Sequence, residues 1–248
     1  MPLAALRNSN STARVLQAYL LGQVPLDDAL ALQRRLVYDA GGDRSTAFLL
    51  LCEHPPAVTI GRSGSFAHLR VEPETLRTRR WDVRRVNRGG GCLLHVPGQL
   101  VGYVILALDA FALNVQQYLD QLHALLADVL SGLEVPVDLR AGQSGVWCGA
   151  RRVAHVGVAV RDWVSSFGFA INVQPDLAVF REVHCDGEPQ PMTSVQRERR
   201  LPVRPATIRQ RLVEAFSAAF AFDRVALFHS HPSLSAQAPS HAVPSGSR

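Results

Sequence analysis

The sequence predicts an α+β fold, a mixed and largely antiparallel sheet with flanking helices. Three observations carry this. Short apolar or alternating runs come in neighbouring pairs around turn residues, as hairpins do. The helical periods lie between groups of strands instead of following every strand. There are no internal repeats, and the strand order does not look like a doubly wound nucleotide fold.

Residues 1–14 are polar and predict a flexible N-terminus. Val15 to Leu21 is a short apolar patch, a strand or a helix start. Pro25-Leu26-Asp27-Asp28 opens a helix, with proline and acids in its first turn, and Gly41-Gly42 stops it. Ala47 to Cys52 reads as a buried strand, His54-Pro55-Pro56 breaks it, and Ala57 to Ile60 resumes extended structure. Ser63 to Arg80 is polar and reads as irregular, whereas Trp81 to Val86 alternates as a strand leading to Arg88. A turn at Pro97-Gly98 precedes a buried strand from Leu100 to Leu106. Asn114 to Leu133 has the apolar spacing of an amphipathic helix. Three strands follow, at 145–149, 151–160 and 168–173, and then a loop from Pro175 to Val195. Ala206 to Phe220 is a closing helix. From His229 onward Ser, Pro, Ala and His dominate, which predicts a disordered tail over 229–248 and one domain over 15–228.

A chain of 248 residues, 47% of them hydrophobic, has ample material for a core. No run reaches the roughly 18–20 apolar residues of a membrane span, and the N-terminus lacks an apolar signal core. The four cysteines, Cys52, Cys92, Cys148 and Cys185, are widely spaced without a Cys-x-x-Cys, which argues against zinc and against a small disulfide framework. A reducing cytoplasm is the expected compartment. All 26 basic residues are arginine, the net charge is +5 and the pI about 9.5. Arginine stays protonated in proteins, so it cannot supply a neutral amine. The arginines are dispersed and no nucleic-acid motif accompanies them; an acidic protein partner suits the charge.

Chemistry concentrates around Arg88-Gly89-Gly90-Gly91 and His95. Three glycines let backbone come close to a ligand, and such a loop could hold a thioester, a phosphate or an acyl chain, or be a glycine hairpin with a satisfied histidine. Cys185 lies in a polar loop between His184 and Asp186. It is the best nucleophile candidate, because nearby cations lower a thiol's pKa, or else an ordinary loop thiol. The other cysteines sit in apolar runs and read as small buried residues. In an extended 151–160 strand one of Arg151 and Arg152 points inward and the other outward.

Several stretches together resemble one family, the octanoyl-[acyl-carrier-protein]:protein octanoyltransferases of the lipoate and biotin ligase superfamily. They are Glu53-His54-Pro55-Pro56 with Thr59-Ile60-Gly61-Arg62, then Arg88-Gly89-Gly90 with His95 and Pro97-Gly98-Gln99. Gly149 to Gly157, Gly168 to Val173, and Met192-Thr193-Ser194 complete the match, from about Leu20 to Val195. The resemblance implies a lipoate/biotin ligase-like fold and a cysteine that takes octanoate from acyl carrier protein. The acyl group then passes to a lysine on lipoyl domains of 2-oxoacid dehydrogenases or on glycine cleavage H protein. No cofactor, metal, nucleic acid or membrane is implied. Cys185 and Arg152 fall on the catalytic positions. Arg88, Gly89, Gly90, Gly91, His95, Gly98, Gln99, His155, Val156, Gly157, Gly168, Phe169 and Ala170 fall on the substrate-binding ones. The glycine-loop amides are expected to polarise the thioester carbonyl.

The chain departs from that family where its lysine falls on Arg152, its tyrosine on Leu94 and its histidine before Gly168 on Phe167. The cysteine loop is one residue short, so Asp186 competes with Cys185 for the nucleophile slot. An acyl- or carrier-binding relative without turnover, or an ATP-dependent lipoate or biotin ligase, are the other activities compatible with these residues.

Overall fold

The computed structural model describes residues 13–185 and 189–235. β1 (Val15–Gln23) opens the chain, and the Arg14 amide beside it donates to Asp223 Oδ2 at 2.8 Å. After α1 (Leu26–Gly42) come β2 (Thr46–Glu53), β3 (Ala57–Ile60), α2 (Pro73–Thr78), β4 (Asp82–Arg85), β5 (Cys92–His95) and β6 (Gln99–Ile105). The second half holds α3 (Val115–Ser131), β7 (Val146–Cys148), β8 (Arg151–Arg161), β9 (Val164–Asn172), α4 (Val195–Arg199) and α5 (Pro205–Ala219), then β10 (Arg224–Phe228) and α6 (Pro232–Ser235).

Among the described residues, seven strands form one sheet in the order β10-β1-β2-β6-β9-β8-β7 and three form a second in the order β4-β3-β5. The pairings β1–β2, β1–β10 and β3–β4 are parallel; the others are antiparallel. β2 shows why its sequence is a continuous apolar run. Ala47, Leu49 and Leu51 face one core with α3 and α5, while Phe48, Leu50 and Cys52 face another with α1 and the small sheet. A strand covered on both faces has no polar side to alternate with. α3 starts on Asn114, whose side chain accepts from the Gln117 amide in a reciprocal capping box. The β8–β9 hairpin turns through Asp162 and Trp163, both at positive φ, the conformation that matches the twist of two-residue hairpins.

Three expectations are corrected, and one unassigned stretch gains an element. The segment 63–80 is not irregular throughout, because it holds a 3₁₀ turn at Phe66–His68 and α2. Ser65 caps that turn, a polar signal easily mistaken for loop composition. Residues 175–195 include a 3₁₀ turn at Leu177–Glu182, begun by the Asp176 side chain accepting from the Ala178 amide. Cys92–His95, given no element from the sequence, is β5, fully buried against β3. Finally, the region from 229 does not begin as a tail. Beyond β10 the ring of buried His231 lies 5.2 Å from that of Tyr19, and α6 follows. Residues 1–12 and 236–248 lie outside the described residues.

Candidate active site

The site is built where the two sheets meet. β3 and β5 carry Thr59 and His95 side by side, and Arg88 reaches in from the loop before β5. Arg88 Nη2 donates to Thr59 Oγ1 at 2.8 Å and to the Thr59 carbonyl at 3.0 Å. A guanidinium has no acceptor, so the Thr59 hydroxyl is left to donate to His95 Nε2, 3.2 Å away. His95 Nδ1 then donates to Gln99 Oε1 at 3.0 Å. Gln99 Nε2 donates to the Leu94 carbonyl and to Asn172 Oδ1. Asn172 Nδ2 continues to the Thr193 carbonyl at 3.1 Å, and the Thr193 amide donates to the Arg152 carbonyl at 3.0 Å. One buried polar chain therefore links the glycine loop, both sheets and the segment after Cys185. Satisfied networks of this kind rigidify a site.

A second buried cluster adjoins it. His54 Nδ1 donates to the Val24 carbonyl at 2.7 Å, and Tyr103 donates its hydroxyl to His54 Nε2 at 2.9 Å. The His54 and His95 rings meet edge to face at 5.4 Å. Burial holds the Tyr103 phenol well above its ordinary range. Burial also lowers both histidines, and His95 is lowered further by His54 and Arg88. The site thus presents neutral imidazoles. Since the folded proteins' histidines titrate below the unfolded value, their contribution to stability is complete above about pH 6.5 and is lost as pH falls towards the folded values. Urea midpoints are expected to coincide at pH 8 and 7 and to fall below pH 6.5. Each histidine contributes a slope of up to about 1.4 kcal/mol per pH unit, and His95→Gln should lessen that slope. A midpoint level between pH 6.5 and 5 contradicts this.

Between these groups lies a narrow cavity of about 30 Å³ lined by Leu30, Thr59, Arg88, Leu93, His95, Val101, Gly102, Tyr103, His155, Gly157, Phe167, Gly168 and Phe169. Glycine is required at Gly102, because a Cβ there would lie 2.1 Å from Phe169 Cζ. Phe167 holds φ +59° beside the cavity, uncommon for a bulky residue, with its amide donating to Gln33 Oε1 at 2.6 Å.

Of the residues singled out in the sequence, Arg88, His95, His155, Gly157, Gly168 and Phe169 converge on this cavity. Gly89, Gly90 and Val156 line a separate groove beside α3, which Gly157 also borders. Ala170 is buried, paired in register with His155. Gly98 and Gln99 serve the scaffold. The Gly98 amide donates to Glu53 Oε2 and its carbonyl accepts from Val173 and Gln174, while Gln99 is a link in the polar chain. The expected cradle of glycine amides is corrected at Gly89, whose N–H is engaged by the Val158 carbonyl at 2.8 Å. The Gly90 and Gly91 carbonyls accept from Ser63 and Gly61, so the loop is held to both sheets.

Cys185, read from the sequence as lying in a polar loop, is a thiol in no disulfide and 1% exposed, its backbone paired with that of Cys92 of β5 in an isolated parallel β-bridge. Downstream, Met192 bridges to Arg152 of β8. The segment carrying the cysteine is thereby tied to the small sheet at one end and to the large sheet at the other. Asp186, the competing residue, lies outside the described residues. Arg151 and Arg152 divide as expected. Arg151 turns out to form an ion pair with Glu198 at 3.0 Å, and Arg152 is buried, its guanidinium 4.6 Å above the Trp147 ring. Arg152 Nη1 lies 3.1 Å from His155 Nδ1. Burial raises the Cys52 thiol far above its usual range and pushes Cys148 up to about 12, which keeps both protonated. Sequence reasoning missed His54, Thr59, Tyr103 and Asn172. His54, Thr59 and Asn172 fell inside the matched stretches but were given no role, and the further signal was polarity within apolar strands for Thr59, Tyr103 and Asn172.

The fold defines a class, shared with lipoate-protein ligases. Lipoate-protein ligase A bound with ATP superposes with a TM-score of 0.66, covering 89% of this chain and 91% of that one at 17% identity. A bi-partite lipoate protein ligase from Thermoplasma acidophilum gives 0.67, covering 90% of each chain at 16% identity. These likenesses concern the fold. The chain belongs to the lipoyl protein ligase A/B catalytic domain family, whose model matches residues 25–217. An octanoyltransferase of Syntrophotalea carbinolica is 38% identical over 197 residues, 79% of this chain and 90% of that protein. One of Geobacter sulfurreducens is 40% identical over 172 residues, covering 69% of this chain and 70% of that protein. Among the described residues no helix is long and apolar enough to cross a membrane.

Proposed function

We propose that the protein is an octanoyltransferase of lipoate biosynthesis, acting in the cytoplasm. Octanoate passes from the thioester of acyl carrier protein to Cys185, and from Cys185 to a lysine of a lipoyl domain. The observation that carries the reading is the cavity between the sheets. It is apolar along Leu30, Leu93, Val101, Phe167 and Phe169 and polar where Arg88, His95 and His155 enter. That polarity suits an acyl chain with its carbonyl at one end. The 38% identity to a protein named octanoyltransferase supports the acyl group itself. Routing the transfer through a thiol splits it into a thioester exchange and an aminolysis, with sulfur serving as nucleophile and then as leaving group. Arg152 is a fixed positive charge and cannot act as a proton carrier. Surface arginines such as Arg181 and Arg197, which border the depression beside His184, suit acidic carrier domains.

The test supplies octanoyl-carrier protein and an apo lipoyl domain and follows the domain's mass. Octanoylation of one lysine without ATP is the expected result. Transfer from free octanoate only in the presence of ATP assigns the protein to the ligases instead. No transfer in either condition overturns the reading.

A further inference from the structure

Cys92 and Cys185 stand side by side, one on β5 and the other just past the 3₁₀ turn at Leu177–Glu182. Their backbones pair in a parallel β-bridge that belongs to no longer ladder. Residues paired in register lie about 4.8 Å apart and turn their side chains to the same face. Both side chains sit in one apolar core, at 0% and 1% exposure, together with Ile60, Leu93, Phe180 and Val183. The other two cysteines are placed differently. Cys52 of β2 pairs with Gly22 and Val101, and Cys148 of β7 pairs with Arg151.

A disulfide needs Cα atoms roughly 4.4–6.8 Å apart and Cβ atoms about 3.5–4.5 Å apart. A parallel pair in register meets the first condition and falls just short of the second. Closing the remainder here moves one backbone pairing and not a sheet, because the bridge is isolated. A bond made under such strain is the more easily reduced, and strained disulfides are the labile, regulatory ones. The Cys92 thiol is also held in position. Its sulfur donates to the Ser65 carbonyl at 3.3 Å and lies 3.9 Å from His68 Nδ1, a ring nitrogen that accepts from the Ser65 amide.

We propose that Cys92 is a resolving thiol for Cys185, so that hydrogen peroxide converts the pair to a reversible disulfide and switches the nucleophile off. The inference goes beyond the transfer reading and rests on it in one respect: a site that admits an acyl thioester to Cys185 admits a peroxide. In the first step the Cys185 thiolate attacks one peroxide oxygen. A sulfur–oxygen bond forms, the oxygen–oxygen bond breaks, and hydroxide leaves and takes up the proton that Cys185 had shed. Cys185 is then a sulfenic acid. In the second step the Cys92 sulfur gives its electron pair to the sulfenic sulfur. The sulfur–oxygen bond breaks, and hydroxide leaves with the Cys92 proton as water. Two thiols have lost two electrons and two protons, and one peroxide has become two waters. Without a partner thiol, a sulfenic acid goes on to sulfinic acid, which ordinary reductants do not reverse. In a reducing compartment the disulfide is transient. Cys92 takes no part in the transfer itself.

The test treats the reduced full-length protein with hydrogen peroxide, blocks the remaining thiols and digests it without reductant for mass mapping. The wild type should become lighter by two hydrogens, give one peptide pair joined through Cys92 and Cys185, and return to four thiols with dithiothreitol. Its octanoyl transfer should be lost and regained over the same cycle. Cys92→Ser should start with wild-type transfer, form no link, and accumulate sulfinic acid at Cys185 that dithiothreitol leaves in place. The wild-type map needs no variant, so it decides the matter even where Cys92→Ser fails to fold. Sulfinic acid at Cys185 of the wild type with Cys92 still a thiol overturns the proposal. So does a link to Cys52 or Cys148, a Cys185 that peroxide leaves untouched, or a Cys92→Ser protein that recovers as fully as wild type. If the link forms but the reduced wild type transfers no octanoate, the functional reading falls and the thiol pair stands. Transfer by a wild type that forms no link sinks this inference alone.

Discussion

Cys185→Ala is expected to abolish the acyl-enzyme and to cut octanoyl transfer by about three orders of magnitude or more, the scale of losing a nucleophile. The wild type incubated with octanoyl-carrier protein should gain one hydroxylamine-labile octanoyl group, visible by intact mass. Cys185→Ala should gain none. Because Cys185 is 1% exposed and its backbone pairs with that of Cys92, the neighbouring thiol must be controlled for. Cys92→Ala should retain the adduct. Cys92 Sγ already donates to the Ser65 carbonyl at 3.3 Å, an engagement suited to a structural thiol. An adduct that persists in Cys185→Ala and disappears in Cys92→Ala moves the nucleophile to the other strand. An adduct in neither protein removes the covalent route.

Phe169→Ala is expected to destabilise the fold by about 3–5 kcal/mol and to lengthen the preferred acyl chain. The ring lies over Gly102, where no Cβ fits, and stacks on Phe216 at 6.0 Å and 19°. It therefore serves the core under α5 and the cavity at once. Truncation removes a full aromatic contact set and leaves space continuous with the cavity. Denaturant unfolding measures the first effect. The ratio of kcat/KM for decanoyl over octanoyl donors measures the second and should rise, since added methylenes then find an apolar wall instead of a ring edge. An unchanged ratio would place the chain's methyl end elsewhere. A loss below 1 kcal/mol would mean that neighbouring residues collapse into the gap.

Much of the architecture was legible because periodicity reports burial. Val115, Tyr118, Leu122, Leu125 and Leu126 recur at helical spacing, and α3 is where they predict. The runs 151–160 and 168–173 were strands, and they pair in register as a hairpin. β10 was not read, because an edge strand with Val225, Leu227 and Phe228 partly exposed has neither a clean alternation nor a buried run. β5 was hidden by the glycines before it, whose turn signal masked four buried residues. The short turn at 66–68 is held by its Ser65 cap, and the helix at 73–78 opens on Pro73, so their composition stays polar.

For the site, residue identity ran ahead of residue environment. The sequence by itself determined which groups exist: a triple glycine between Arg88 and His95, a late cysteine, an arginine in place of a lysine, and no lysine anywhere. It also determined the family, because glycines forced by close backbone approach and polar residues inside strands leave spacings that survive divergence. Only the tertiary structure decided the roles. It engaged the Gly89 amide with Val158, enclosed His95 in a hydrogen-bonded chain, buried Cys185 against Cys92 and set Arg152 against His155. The reason is physical. Whether a nitrogen donates, accepts or titrates depends on the atoms within about 3 Å of it, and those atoms come from strands far apart in the chain.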